Sequence, residues 1–194
     1  RVQPAQWVAV FGCGGVGLSA IMIARALGAR VIGVDVADGA LALALQAGAE
    51  LVLDARDATT GAVTPGRARA LRDHLREHTA GGADVALDAL GSRGTARGAL
   101  ESLRKNGRMV QVGLMAGHDA NPPFPLHLLI ARELEIVGSH GMAAHAYPRM
   151  LAMVMDGRLD PLQLVTRRLS LNEGPEALAT MVTAPVAGVT ILQP

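Results

Sequence analysis

The stretch Trp7-Val-Ala-Val-Phe11-Gly12-Cys-Gly-Gly-Val-Gly17-Leu18 decides the fold. Its apolar run is strand-length and unbroken, the pattern of a strand buried on both faces. Glycines then stop the run. From Leu18 to Leu27 the pattern is helical, and Gly28 stands where a helix C-terminus needs a left-handed residue. Working outward, the same unit recurs. Arg30-Val-Ile-Gly-Val34 is a second apolar run ending at Asp35, and Asp38 is expected to cap a helix over Gly39–Ala47, closed by Gly48. Further strands are expected at Leu51–Leu53, Ala83–Leu87, Arg108–Val112 and Leu134–Val137, and further helices at Arg67–Thr79, Ser92–Leu103 and Leu126–Arg132. Asn106-Gly107 marks a turn. Strands alternating with helices predict an α/β fold with a doubly wound parallel sheet.

After Gly138 this rhythm breaks. A helix over Ala143–Met155, a strand over Leu164–Leu169, a helix capped by Asn172 and a last strand at Val189–Leu192 do not continue the alternation. The division predicted is residues 1–140 as the doubly wound domain and 141–194 as a segment that packs against something else.

Of the 194 residues half are hydrophobic but only 2% aromatic, so the core must be built from Ala, Val, Leu, Ile and Met. Lys and Arg total 18 against 17 Asp and Glu, a net charge of +1 that argues against a nucleic-acid binder, which needs a basic surface. One cysteine, Cys13, excludes a disulfide framework within the chain and a cysteine-rich zinc site. It fits a cytoplasmic setting. No apolar run reaches the length that spans a bilayer, so no membrane partner is expected.

Gly12-x-Gly14-x-x-Gly17 between a strand and a helix is the arrangement that cradles a pyrophosphate. Gly12 permits the tight turn, Gly14 lets phosphate approach the backbone, and Gly17 lets helix and strand pack closely. The helix start at Val16–Leu18 offers unpaired N–H groups and a positive dipole end. Asp35, about 20 residues on, ends the second strand, where a carboxylate accepts hydrogen bonds from ribose hydroxyls. That carboxylate repels a 2′-phosphate, and Val36-Ala37-Asp38 supplies no Arg or Lys to bind one. NAD is therefore favoured over NADP, on a Rossmann fold.

Other chemistries fit less well. Methyltransferases that use S-adenosylmethionine place the last glycine one position earlier, where this chain has Val16. Short-chain dehydrogenases need a Tyr four residues before a Lys, but the single tyrosine, Tyr147, is followed at that spacing by Leu151. His74-Leu-Arg-Glu-His78 has metal-ligand spacing, yet its helix carries Arg69, Arg72, Asp73, Arg76 and Glu77 and reads as a solvated outer surface. Cys13 reads as a small buried filler, and His127 as packed on its helix. His118 and His140 follow strand ends, where ligands collect in such folds.

The ordered set Gly12-Cys-Gly-Gly-Val-Gly-Leu18, Gly28-Ala-Arg-Val-Ile-Gly-Val-Asp35, Gly82-Ala-Asp-Val-Ala-Leu-Asp88, Gly107-Arg-Met-Val-Gln-Val-Gly113 and Gly138-Ser139 resembles the cofactor-binding half of the medium-chain, zinc-dependent alcohol dehydrogenases. The similarity runs from about Gln6 to Leu192. It implies an enzyme whose preceding half is a GroES-like catalytic domain holding the zinc ligands; this chain is read as starting just after that half, with no catalytic or metal-binding residue of its own and no activity alone. It implies that Gly12, Gly14, Gly15, Val16 and Gly17 hold the pyrophosphate and Asp35 the adenosine ribose. Ala89, Leu90 and Gly91 would line the cleft, and Val112, Leu114, Ser139 and Gly141 would face the nicotinamide. It implies an alcohol or carbonyl substrate in the full-length enzyme, zinc there only, and a homo-oligomer through residues 121–124. The family usually has Arg or Lys after a glycine near the C-terminus, reaching a cofactor phosphate; here the pair is Gly188-Val189. A zinc-free quinone or enone reductase of the same superfamily, or a stand-alone nucleotide-binding module, are the competing readings.

Overall fold

The computed structural model describes residues 2–181, 183 and 186–194; Arg1, the first residue of the expected 1–140 domain, lies outside them. Strand β1 (Trp7–Phe11), helix α1 (Gly15–Ala26), β2 (Arg30–Asp35), α2 (Asp38–Gln46), β3 (Leu51–Asp54), α3 (Pro65–His78), β4 (Ala83–Asp88), α4 (Arg93–Ser102), β5 (Leu103–Gln111), α5 (Leu126–Arg132) and β6 (Glu135–Gly138) follow in order. Their strands form a six-stranded parallel sheet in the order β3-β2-β1-β4-β5-β6. The doubly wound α/β fold read from the sequence is the fold observed.

Strand β1 shows why its sequence is apolar throughout. Side chains alternate between faces. Val8 and Val10 enter one core, with Leu18 and Ile21 of α1 and Ala40 and Ala44 of α2. Trp7, Ala9 and Phe11 enter the other, with Leu71 and Leu75 of α3 and Ala96 and Leu100 of α4. No residue of β1 faces water.

Several boundaries differ from expectation for local reasons. Asp38 does not cap α2: Ala37 holds that position without a side-chain bond, and Asp38 is the first helical residue, paired with Arg56. Ser92 does cap α4, in a reciprocal pair with Thr95. The expected turn at Asn106, φ 57°, lies inside β5, where the register to β4 shifts.

Beyond β6 come α6 (Tyr147–Met155), β7 (Val165–Ser170), α7 (Gly174–Thr180) and β8 (Val189–Gln193). Helices α6 and α7 start later than expected because Pro148 and Pro175, lacking N–H groups, belong in a first turn. Ser170 and Glu173, rather than Asn172, form the capping pair before α7. Strands β7 and β8 pair in parallel as a separate two-stranded sheet. Met153, Leu159 and Leu164 join the core beside α1, while Leu151, Met155, Leu162, Leu178 and Met181 stay exposed.

Candidate functional site

In a parallel sheet the strand C-termini share one edge, and there the chain must leave each strand. One backbone bond beyond several ladders fixes how it leaves. Gly12 donates to the Val34 carbonyl (2.8 Å), Ala89 to Phe11 (2.8 Å), Val112 to Asp88 (3.0 Å) and Ser139 to Gln111 (2.9 Å). The residues expected to meet the cofactor therefore stand along one rim: the glycine loop after β1, Asp35 at the end of β2, Ala89–Gly91 after β4, Val112 and Leu114 after β5, Ser139 and Gly141 after β6. Val16, Leu90 and Leu114 carry exposed apolar side chains there, Leu114 at 78%.

The glycines of the loop serve different ends. A Cβ on Gly17 would lie 1.8 Å from the Gly12 carbonyl oxygen, so Gly17 is required by packing. Gly12 has φ +91° and lies against Leu90, which also demands glycine. Gly14 is different. Its backbone, φ −76° and ψ −168°, suits any residue, and a Cβ there would meet nothing within 4 Å. No side chain caps α1 at Gly14, and the first intrahelical bond is Leu18 N–H to the Gly14 carbonyl at 2.8 Å. Open space thus faces uncapped N–H groups, a cradle for an anion.

Asp35 is built into this loop. One carboxylate oxygen accepts from Cys13 N–H at 2.6 Å; the other accepts from Val36 N–H (2.7 Å) and Ala37 N–H (2.9 Å). Beside it opens a cavity of about 710 Å³ between the sheet edge, α3 and α4, bounded by Gly12, Asp35, Val36, Ala55, Thr64, Leu90, Arg69 and Arg97 among others. Of the expected site residues, Gly12, Asp35 and Leu90 meet around it. Val112, Leu114, Ser139 and Gly141 lie outside it on the same rim.

Helix α3 presents Arg69, Asp73 and Glu77 to solvent, the outer surface its charge pattern implies, and Thr64, Ala68, Arg69, Leu71 and Arg72 along one flank also wall this cavity. The sequence signal for this was Leu71 and Leu75, one helical turn apart, which bury and turn their flank inward. His78 of the same helix lies edge-on to the Trp7 ring, 5.2 Å between centroids. Among the described residues no group of three His, Cys, Asp or Glu side chains could hold a metal ion. Cys13 is fully buried, its thiol pushed up to about 12 by burial and by the Asp35 carboxylate.

Asp88, quoted in the sequence but given no role there, organises the next two loops. Fully buried, it accepts from Leu90 N–H and Gly91 N–H, both at 3.0 Å, through one oxygen, and from the Gln111 side-chain amide at 2.8 Å through the other. Gly91 and Gly113 press together backbone to backbone: a Cβ on Gly113 would lie 2.2 Å from the Gly91 nitrogen. Val189 reaches the glycine loop as well, its Cγ2 within 3.3 Å of a Cβ placed on Gly15. Residues 121–124 form no strand; Phe124 leans on the α4 side of the core, and the sheet edge nearest them in sequence is β6.

Known proteins match this arrangement. D-xylulose reductase A of Aspergillus niger is 31% identical over 181 residues, covering 91% of this chain and 47% of that protein. Among solved structures, that of AibC superposes with a TM-score of 0.80 at 30% identity, covering all of this chain and 50% of the other. An NAD-dependent alcohol dehydrogenase superposes at 0.82 with 28% identity, covering 100% of this chain and 52% of the other. The chain spans about half the length of these relatives. No helix among the described residues is long and apolar enough to cross a membrane. The model of the zinc-binding dehydrogenase family matches residues 15–156, from within the glycine loop to the end of α6, and the chain belongs to that family.

Proposed function

We propose that this chain is the NAD-binding part of a zinc-dependent alcohol dehydrogenase acting on a small alcohol or polyol. The observation that carries the reading is Asp35: a carboxylate fixed by three backbone N–H groups beside a vacant-sided glycine loop, at the mouth of a cavity large enough for an adenosine. Gly14, Gly15, Val16 and Gly17 would hold the pyrophosphate through backbone N–H groups and the α1 dipole. With three backbone N–H groups already bonded, Asp35 keeps one further lone pair, on the oxygen that Cys13 N–H shares, for a ribose hydroxyl, and its charge disfavours a 2′-phosphate. Ala89, Leu90 and Gly91 would line the middle of the cleft. Val112, Leu114, Ser139 and Gly141 would face the nicotinamide. NAD, when bound, accepts the hydride removed from the alcohol.

Residues 1–140 constitute the dinucleotide-binding domain in this reading, and 141–194 return toward a catalytic domain that holds the zinc. The exposed apolar residues of α6 and α7 suit such a contact. Similarity to D-xylulose reductase A and to alcohol dehydrogenases supports an alcohol or carbonyl substrate in the full-length enzyme. A cytoplasmic homo-oligomer, paired near residues 121–124, completes the proposal. Calorimetric titration with NADH and NADPH tests it: tighter binding of NADH is expected, and equal affinity for the two would overturn the NAD assignment.

A further inference from the structure

The residues directly after Asp35 hold no cation, but the fold brings one to the same corner from another strand. The Asp35 carbonyl accepts Ala55 N–H at 2.9 Å, so the chain leaving β3 runs beside the end of β2. Ala55 and Val36 both bound the cavity that Asp35 opens into. The next residue is Arg56. Its Nε donates to both Asp54 carboxylate oxygens at 3.0 Å, and its Nη2 donates to Asp54 at 2.8 Å and to Asp38. The guanidinium thus lies across the turn 35–38, held by a carboxylate from each side. Asp54 is held below the usual carboxylate range by its bonds to Arg56, and the backbone carbonyl of Asp54 takes a second arginine, Arg67. Asp54 grips two donors of the fork in a bidentate manner. Asp38, 85% exposed at the first residue of α2, takes a second bond from the same Nη2.

A planar guanidinium is the group best matched to a phosphate dianion. Such a group within a few residues of a ribose-binding carboxylate would favour a 2′-phosphate if its edge were free. We propose that Asp38 is a positioning residue for cofactor choice: by pairing with Arg56, it competes with a 2′-phosphorylated dinucleotide for the guanidinium nearest the turn that follows Asp35. The proposal rests on the dinucleotide-binding reading above. It assigns discrimination to two groups, the repelling charge of Asp35 and the Asp38–Arg56 pair.

Fluorescence titration with NADH and with NADPH tests this on the wild type, Asp38→Ala, Asp38→Glu and Asp38→Ala/Arg56→Gln. Because the Asp38 side chain is solvated, its removal leaves the fold in place, which a thermal melt checks. Asp38→Ala is expected to shift the affinity ratio toward NADPH by about fivefold, the scale of releasing one arginine from an exposed pair. Asp38→Glu keeps the carboxylate and is expected to retain the wild-type ratio. The double variant is expected to lose the shift. A ratio unmoved in Asp38→Ala overturns the proposal. So does a shift that survives Arg56→Gln, which would make the lost charge of Asp38 the whole cause. Wild type that binds neither dinucleotide overturns the underlying reading as well; wild type that binds NADH with an unmoved ratio overturns only this one.

Discussion

Replacing Gly14 by serine should move stability and binding in opposite directions. Gly14 holds the N-cap position of α1 with an extended backbone that L-residues adopt freely, and a Cβ there touches nothing within 4 Å. Folding therefore gives no reason for glycine. Removing its extra freedom in the unfolded chain stabilises by about 0.4–1 kcal/mol, and serine is better than glycine as a cap by a few tenths of a kcal/mol. In a chain of this size the gain corresponds to a melting temperature raised by about 1–4 °C. The same side chain would stand between a pyrophosphate and the backbone, and its oxygen would compete for the N–H groups the phosphate needs. NADH affinity should fall at least tenfold, about 1.4 kcal/mol. Gly17→Ala is the opposite control. Its Cβ would lie 1.8 Å from the Gly12 carbonyl oxygen, and overpacking of that kind destabilises by about 1–3 kcal/mol or more. The melting temperature should then drop by about 2–12 °C. The assays are thermal melts without ligand and NADH fluorescence titration. Wild-type NADH affinity in Gly14→Ser would refute the reasoning, leaving the loop a strand-to-helix connection and nothing more.

Asp35→Ala should weaken NADH binding tenfold or more and also destabilise the ligand-free protein. The lost bond to the buried Cys13 N–H is worth about 1.5–3 kcal/mol, so calorimetry and thermal melts should both respond. Val189→Arg, placed against Gly15, should tighten NADH binding about tenfold through a charge-assisted phosphate contact; the gain should shrink as salt rises. Cys13 should resist alkylation at pH 8 in the folded chain and react once it is unfolded, which mass spectrometry can follow. Because the folded thiol is raised from 9.0 to about 12, the unfolded state loses its proton first as pH rises, and stability should fall between those values. Purified alone, the chain should carry no stoichiometric zinc by elemental analysis and give no NADH formation with primary, secondary or polyol alcohols above a blank. Bound zinc would revive the His74 and His78 pair.

The sequence carried the sheet because a strand buried on both faces has no polar residue to blur it. Val8 to Phe11 could be read as it folds, and Gly28 as it caps. Boundaries were harder to read where a side chain had a distant alternative. Asp38 had the residue type of a cap, but Arg56, 18 positions away, took its carboxylate. The glycine loop between β1 and α1, with Asp35 beside it, was legible as a structural unit because its spacing along the chain is short and fixed by geometry. The wall of the cavity was not, since the direction of Arg69 on α3 depends on which flank Leu71 and Leu75 bury, and that of Arg97 on α4 on the flank of Ala96 and Leu100. Nor was Asp88: nothing in its neighbours along the chain signals a buried carboxylate, whose partner Gln111 is 23 residues on.

The contact of Gly91 with Gly113 ties motion to this architecture. Two loops pressed together at their main chains, with Asp88 bonded into both, have no separate freedom. Neither can lift without exposing a buried carboxylate, so the amide hydrogens of Leu90, Gly91, Val112 and Gly113 should exchange with solvent at one common rate, set by a single opening. This part of the rim is thus a clasp without a hinge of its own.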